Sequence, residues 1–397
     1  MRPVIVPLDN PVRNYAWGSR TAIGEMLGRP SPGGLPEAEL WIGAHPQAPS
    51  RLALPAFPRT LDALVRRAPE AMLGPRDASR FGGELPLLLK VIAAAEPLSI
   101  QCHPDAAQAR AGFARENAAG LPLDSPERCY RDPGHKPELV AALTRFVGLK
   151  GCRPRDDVRR LLAALGVPGL AEAAALLDDG DDLRPLFEWL WSRPAGARAA
   201  LVGAAAAAAA ARRGEDPAFA WMPRLATKYP ADAGVLAPLL LNLVTLEPED
   251  GLFLPAGELH AYLEGTAVEV MASSDNVLRG GLTPKHVDVA ELLAVGVFRP
   301  APPKVLRPVA VSRWERVYPA PAAEFELALL GLGGAEPFVA REDRGPELLL
   351  GLEGSATIAA DGSRWPLGRG RSVFVPAAVR AYRIEGEGRV ARARIPR

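Results

Sequence analysis

The chain has 397 residues, 48% of them apolar and 23% charged, an ordinary globular composition with room for about two or three domains and a large buried core. A formal net charge of +1 gives no global field to recruit nucleic acid or an anionic membrane. No basic run is interleaved with aromatics, so neither is an expected partner and any anion must be held locally.

From the N-terminus, MRPVIVPLDNPVRNYAWG lacks the long apolar stretch of a secretory signal. Residues 1–150 are rich in Pro and Gly with short apolar runs, and "LPLLLKVIAA" and "EPLSIQCHPD" read as strands bounded by turns. From about 151 to 238 the spacing turns helical. Asp156 and Asp181 are expected N-caps there, and Gly166 a helix stop. The Ala-rich run between Arg198 and Arg212 falls short of the roughly 20 residues a membrane span needs and reads as a packed helix. Strand texture returns near 240 in "GLFLPAGELHAYLEGTAVEVMASS", "PPKVLRP" reads as a linker, and the remainder is β-like again. "LFLPAGELHAYL" and "VFVPAAVRAYRI" share an apolar–Pro–turn–strand outline, with Ala381 where the first has His260, which suggests two related barrels, one active and one inert. Cys102, Cys129 and Cys152 form no CxxC pair; a disulfide framework is not expected and a reducing cytoplasm fits.

Four local patterns carry chemistry. If "PLSIQCH" is a strand, Ser99, Gln101 and His103 share one face and Leu98, Ile100 and Cys102 the other. In "HKPE", Lys136 and Glu138 share a face because Pro137 keeps Lys136 extended. In "PAGELHAYLEG", Glu258, His260 and Tyr262 alternate with Leu259, Ala261 and Leu263. Each reads alone as a solvated face, a salt-bridged loop or a structural histidine. Two imidazoles, one carboxylate and one amide oxygen together can form a four-ligand metal site with an open position. With a single anionic ligand such a site keeps a formal charge of about +1 and remains a good Lewis acid. In "MASSDNVLRGGLTPKHVD", Asp275 and Asn276 favour a turn, Gly280 and Gly281 permit close backbone approach, and Arg279 with Lys285 can grip a phosphate. Lysine occurs only at positions 90, 136, 150, 228, 285 and 304, which draws attention to those beside other polar residues.

Together with "NYAWGS", "PEAELWIGAHP", "LPLLLKVIAAAEPLSIQCHPD" and "DPGHKPELVAAL", these stretches resemble, in the same order, the cupin-type, zinc-dependent mannose-6-phosphate isomerases. The resemblance implies a mainly β fold with an α-helical insertion: two cupin (jelly-roll) β-barrels plus a helical domain. We expect residues 1–150 and 239–305 to form a discontinuous catalytic barrel, 151–238 the helical domain and 306–397 an inert C-terminal barrel. It implies one Zn²⁺ held by Gln101, His103, Glu138 and His260. It implies that Arg279 closes over the substrate and that Lys136, Glu269, Asp275 and Lys285 line the pocket. Trp17, Glu39, Lys90, Ser99 and Tyr262 are expected at its floor and phosphate end. The expected reaction interconverts an aldose and a ketose 6-phosphate through a cis-enediol, with Lys136, Asp275 and His135 in ring opening and proton transfer and Glu269 in support. A cytoplasmic monomer acting on a hexose 6-phosphate follows. The rivals are a cupin Fe(II) oxygenase, against which a Gln101 ligand and the Arg–Lys grip argue, and a non-catalytic sugar-phosphate-binding protein, against which the intact ligand set argues.

Overall fold

The structure is a computed structural model that describes residues 4–54, 58–177, 180–333 and 336–397. It is mainly β, with helices concentrated between residues 155 and 240. The strands that build the site, in chain order, are β1 (Val6–Asp9), β2 (Glu39–Gly43), β3 (Leu87–Ala94), β4 (Ile100–Cys102), β5 (Glu138–Ala142), β6 (Phe146–Cys152), β7 (Leu241–Leu246), β8 (Gly251–Leu254), β9 (His260–Ala272) and β10 (Leu278–Gly281). The C-terminal sheet adds β11 (Glu326–Leu332), β12 (Glu347–Ala360), β13 (Ser372–Val375) and β14 (Arg383–Arg394).

The 13-residue strand β9 organises the first β unit. Its C-terminal half pairs with β3 and β5, and β3 in turn pairs with β2. Its N-terminal half pairs with β4 and β6, and β4 pairs with β10. The change of partner falls at an irregularity next to Gly265, where φ is +124° and a Cβ would lie 2.6 Å from the carbonyl oxygen of Arg145. Only glycine lets the strand turn there from one ladder into the other. The two ladders therefore face each other across a cleft, but among the described residues no ring of paired strands closes. The expected cupin-type β architecture is thus seen as open, facing ladders rather than as closed cylinders.

Two-residue alternation decides what enters the cleft. Glu39 and Trp41 on β2, Lys90 and Ile92 on β3, Glu138 and Val140 on β5, and Glu269 and Met271 on β9 share one face, as their cross-strand registers show. Their neighbours Leu40, Ile42, Leu89, Val91, Leu139, Val268 and Val270 point the other way, into an apolar layer with Leu327, Leu348, Leu350, Phe374 and Ala393 of the C-terminal sheet. Each fully buried leucine in it contributes roughly 1.5–3 kcal/mol. Strand β1 crosses to that sheet and pairs with β13, so the two β units are tied together from the first described strand.

The helices cover the outside of the second ladder. Val158, Leu161 and Leu165 of Arg155–Leu165, Phe187 and Trp191 of Arg184–Ser192, Leu201 and Val202 of Ala195–Ala211, and Phe219 and Met222 of Pro217–Lys228 join Ile100, Cys102, Leu149 and Leu263 in one cluster. Gly166 ends the first of these helices in the left-handed conformation. Asp156 lies in its first turn, behind Pro154 at the cap, and Leu183 rather than Asp181 caps the next long helix. The backbone N–H of Arg184 is satisfied instead by Asp182. Among the described residues no single helix is long and apolar enough to cross a membrane; the consecutive helices Arg184–Ser192 and Ala195–Ala211 bend by 115° where they meet. The three cysteines are free and buried, and burial pushes each thiol up to about 12.

Candidate metal centre and substrate cleft

His103 follows β4, Glu138 opens β5 and His260 opens β9. Their relative exposures are 1%, 4% and 3%, so no bulk water solvates the group. Glu138 Oε1 lies 3.3 Å from His103 Nε2, and Glu138 Oε2 lies 3.5 Å from His260 Nε2. Candidate ligand atoms of the three residues fall within 4.8 Å of one another. Each ring is turned the same way. His103 Nδ1 is 2.8 Å from the Asn276 carbonyl and His260 Nδ1 is 2.9 Å from the Glu258 carbonyl. A carbonyl only accepts, so both Nδ1 atoms carry a proton and both rings turn Nε2 toward the same point. Among the described residues, Nε2 of His103 is buried without a hydrogen-bond partner. A buried lone pair aimed at a carboxylate is repelled unless a cation lies between them. The residues therefore fit a divalent metal, and imidazole nitrogen with carboxylate oxygen is a donor set that suits zinc.

The electrostatics agree. Burial, with Lys136 adding to it, pushes His103 down to about 4, so the ring is neutral. Burial pushes the Glu138 carboxyl up, but Lys136, whose Nζ is 2.9 Å away, outweighs it and holds it well below the usual range. Gln101 pairs in register with His260 on one side and Arg279 on the other, which puts its side chain on the ligand face.

From this centre a small cleft opens past Ser99, Gln101, Lys136, Glu138, His260 and Tyr262 to Glu39, Lys90 and Glu269. Lys90 Nζ lies 3.2 Å from Glu269 and 3.9 Å from Glu39, and Tyr262 donates its hydroxyl to Glu269 at 2.8 Å. Burial and the nearby Glu138 push the Glu269 carboxyl up, against the pull of Lys90. Trp17 packs beside the apolar floor formed by Ile92, Leu98 and Tyr262. Ser99, Gln101 and His103 thus share the polar face, with Ile100 and Cys102 in the apolar cluster behind; Leu98 departs from the alternation and lines the cleft as well. Glu258 also departs from its expected set, pairing with Lys150 at 2.6 Å.

Arg279 is half-buried and Lys285 exposed, and among the described residues neither side chain has a hydrogen bond or ion pair. Burial lowers both; Arg131 repels Arg279, and Arg279 and Arg131 repel Lys285, with Glu39 only partly offsetting them, so the group is an excess of positive charge. Gly280 and Gly281 serve packing here: a Cβ on Gly281 would lie 2.6 Å from Asp232 Oδ1, and one on Gly280 would press on Ile100, Leu292 and Trp191.

Arg279 and Lys285 are not among the residues that line the cleft, and Asp275 and His135 also lie off it. Asp275 borders a neighbouring cavity, where Gln47 donates to it at 2.7 Å and His45 Nε2 lies 3.4 Å away. His135 Nε2 is 2.8 Å from Glu324, which precedes β11 and belongs to the C-terminal part of the chain. The Glu324 hydrogen bond holds His135 above its ordinary value, with burial opposing. A group whose folded value is raised stabilises fully below its ordinary value of about 6.5 and loses that contribution as pH rises through the folded value. The Tm gap between the parent and Glu324→Gln should therefore be widest below the ordinary histidine value of about 6.5 and narrow as pH rises through the raised folded value; a gap independent of pH would mean that charge plays no part.

Sequence reasoning passed over His45, Trp41 and Glu324. Trp41 donates to Glu39 at 2.7 Å and lies under Lys90, with 5.2 Å from Nζ to the ring centre. Its place two residues after Glu39 in "ELWIGAHP" was the available signal, as was the histidine in the same stretch. Nothing local marks Glu324.

Comparison with known proteins agrees with this geometry. Residues 5–155 match the family described as phosphomannose isomerase type I, catalytic domain, and residues 324–395 match the mannose-6-phosphate isomerase cupin domain. The mannose-6-phosphate isomerase of Salmonella typhimurium is 41% identical over 388 residues, covering 97% of this chain and 98% of its own, and that of Rattus norvegicus is 31% identical over 94% of each. A zinc-bound crystal structure of mannose 6-phosphate isomerase superposes with a TM-score of 0.90 at 38% identity, covering 99% of this chain and all of the other. The apo form from Salmonella typhimurium superposes at 0.89, also 38% identical and covering 99% of each chain. The chain belongs to the type I mannose-6-phosphate isomerase (phosphomannose isomerase) family.

Proposed function

We propose that this chain is a zinc-dependent mannose-6-phosphate isomerase, interconverting D-mannose 6-phosphate and D-fructose 6-phosphate by proton transfer between C2 and C1 through a cis-enediol. The observation that carries the reading is the convergence of two imidazole Nε2 atoms and one carboxylate on a single buried point at the end of a polar cleft. His103, Glu138 and His260, with Gln101 beside them, would hold the zinc, which when bound would supply Lewis-acid stabilisation of the developing oxyanion. Lys136, beside Glu138 and lining the cleft, is the group we assign to proton transfer. Tyr262, Lys90 and Glu39 hold Glu269 and shape the pocket. Ring opening we assign to His135 and Asp275, which lie outside the cleft itself. Ser99 and Trp17 complete the floor. The fold's finer division is also our reading: a catalytic cupin unit from 1–150 and 239–305 with its first strand lent to the other sheet, helices over 151–238, and a second cupin unit over 306–397. The cluster beneath the helices and the cluster inside the C-terminal sheet support it, while a third apolar layer packs the two β units together. We further read the protein as cytoplasmic, which three separate free thiols favour.

The test is metal analysis of purified protein with a coupled mannose 6-phosphate to fructose 6-phosphate assay before and after chelation. Activity lost on chelation and restored by Zn²⁺ supports the reading; turnover that survives complete metal removal overturns it. Arg279 and Lys285, which form no ion pair among the described residues, are assigned to the substrate phosphate. Lys285→Ala should raise KM for mannose 6-phosphate by about tenfold with kcat little changed, since an exposed cation contributes about 1–1.5 kcal/mol to such a contact. An unchanged KM would remove Lys285 from the phosphate end.

A further inference from the structure

Asn276 is fully buried, and every polar atom it has is engaged. Its carbonyl accepts from His103 Nδ1 at 2.8 Å. Its side-chain oxygen accepts the backbone N–H of Arg131 at 2.7 Å and of Asp132 at 3.2 Å. Its side-chain nitrogen donates to the carbonyls of Asp132 at 2.8 Å and Gly134 at 2.7 Å. One amide thus grips the backbone of residues 131–134 on both its donor and acceptor sides. Ser274 and Asp275 reinforce the grip, Ser274 Oγ donating to the Gly134 carbonyl at 3.2 Å and the Asp275 N–H to the Asp132 carboxylate at 2.8 Å. Four residues past Gly134 the chain reaches Glu138, with Lys136 between.

These contacts form a closed circuit. It runs from the convergence point through His103 to Asn276, across to 131–134, and along the chain through Lys136 to Glu138, which returns to the same point. We infer that Asn276 is a positioning residue that couples occupancy of the metal centre to order in the segment 129–136, the segment that presents Lys136. The inference rests on the metal-site reading above. A cation on His103 Nε2 polarises the ring and strengthens its Nδ1–H bond to Asn276, and a cation on Glu138 fixes the other end of the segment. By linkage, whatever orders 131–134 must in turn tighten the metal. The amide is required because the grip needs a double acceptor and a double donor on one planar group. A carboxylate of the same shape would set oxygen against the Asp132 and Gly134 carbonyls.

The test uses the full chain with Zn²⁺ alone. Zinc affinity is measured by chelator competition, and amide hydrogen exchange over 129–136 is followed with and without zinc in the parent and in Asn276→Asp. In the parent, zinc should slow exchange in this segment by about tenfold or more. In Asn276→Asp, zinc affinity should fall by about 10–100-fold and zinc should no longer protect 129–136. The parent arm stands alone if the variant does not fold. Zinc that protects the His103 region of the parent but not 129–136 overturns the coupling and leaves the metal site standing. So does an Asn276→Asp protein that folds and binds zinc within about twofold of the parent. A parent that binds no zinc overturns both readings together.

Discussion

Replacing Glu138 with glutamine should strip the protein of tightly bound zinc and lower kcat by about 10²–10³-fold, the cost typical of losing one electrostatic stabiliser. Glu138 is the only anion among the proposed ligands, and its two oxygens each face one imidazole. An amide of the same size keeps the shape and removes the charge, leaving a neutral ligand set for a doubly charged ion. The substitution also removes the partner of Lys136, whose ammonium lies 2.9 Å away with a side chain only 9% exposed. Leaving such a cation unpaired costs about 3 kcal/mol, so the metal-free variant should melt below the metal-free parent. Metal content per chain and paired melting curves in chelator check both effects. A Glu138→Gln protein that retains one zinc per chain and near-parent turnover would remove this carboxylate from the centre.

How far the sequence led depends on the range over which each constraint acts. The face shared by Ser99, Gln101 and His103, and that shared by Lys136 and Glu138, follow from strand geometry alone, because side chains two apart point the same way whatever the rest of the fold does. The helices behind β4 and β6 are legible for the same reason at a different period. What faces what is not local. Glu324 meets His135 across 189 positions of sequence, and only the packing of the C-terminal sheet brings it there. The C-terminal unit, expected to be inert, therefore touches the segment that carries Lys136. Asn276 read as a turn former because its composition says so; that its amide clamps a segment some 140 residues earlier depends on both stretches lying at the same end of the cleft. Asp275 sits in the expected motif yet faces His45 and Gln47, since the turn at 273–276 carries it out of the strand alternation. Gly280 and Gly281 do permit close approach, but what approaches is Trp191, Leu292, Asp232 and the Gly234 backbone, which the local sequence does not name.

Lys136→Met should suppress turnover by about 10²–10⁴-fold, the range for a lost acid–base group, and should abolish exchange of solvent hydrogen into C1 and C2 of the sugar. Methionine preserves most of the apolar stem, so the segment between the Asn276 clamp and Glu138 should stay in place. Glu269→Gln is the informative contrast. Glu269 is also in the cleft, and burial with Glu138 nearby pushes its carboxyl up toward the range where a base is useful. Its two oxygens are already taken by the Tyr262 hydroxyl and the Lys90 ammonium, which leaves it poorly placed to accept a proton from carbon. A glutamine can still accept the tyrosine hydrogen bond, and Lys90 keeps Glu39 at 3.9 Å. We therefore expect Glu269→Gln to retain solvent exchange and lose roughly tenfold in turnover, equivalent to about 1.4 kcal/mol of barrier. The two variants separate positioning from chemistry because exchange reports proton transfer even when net conversion is slow. Exchange at the parent rate in Lys136→Met would rule out that lysine, and its loss in Glu269→Gln alone would transfer the role to the carboxylate opposite Lys90.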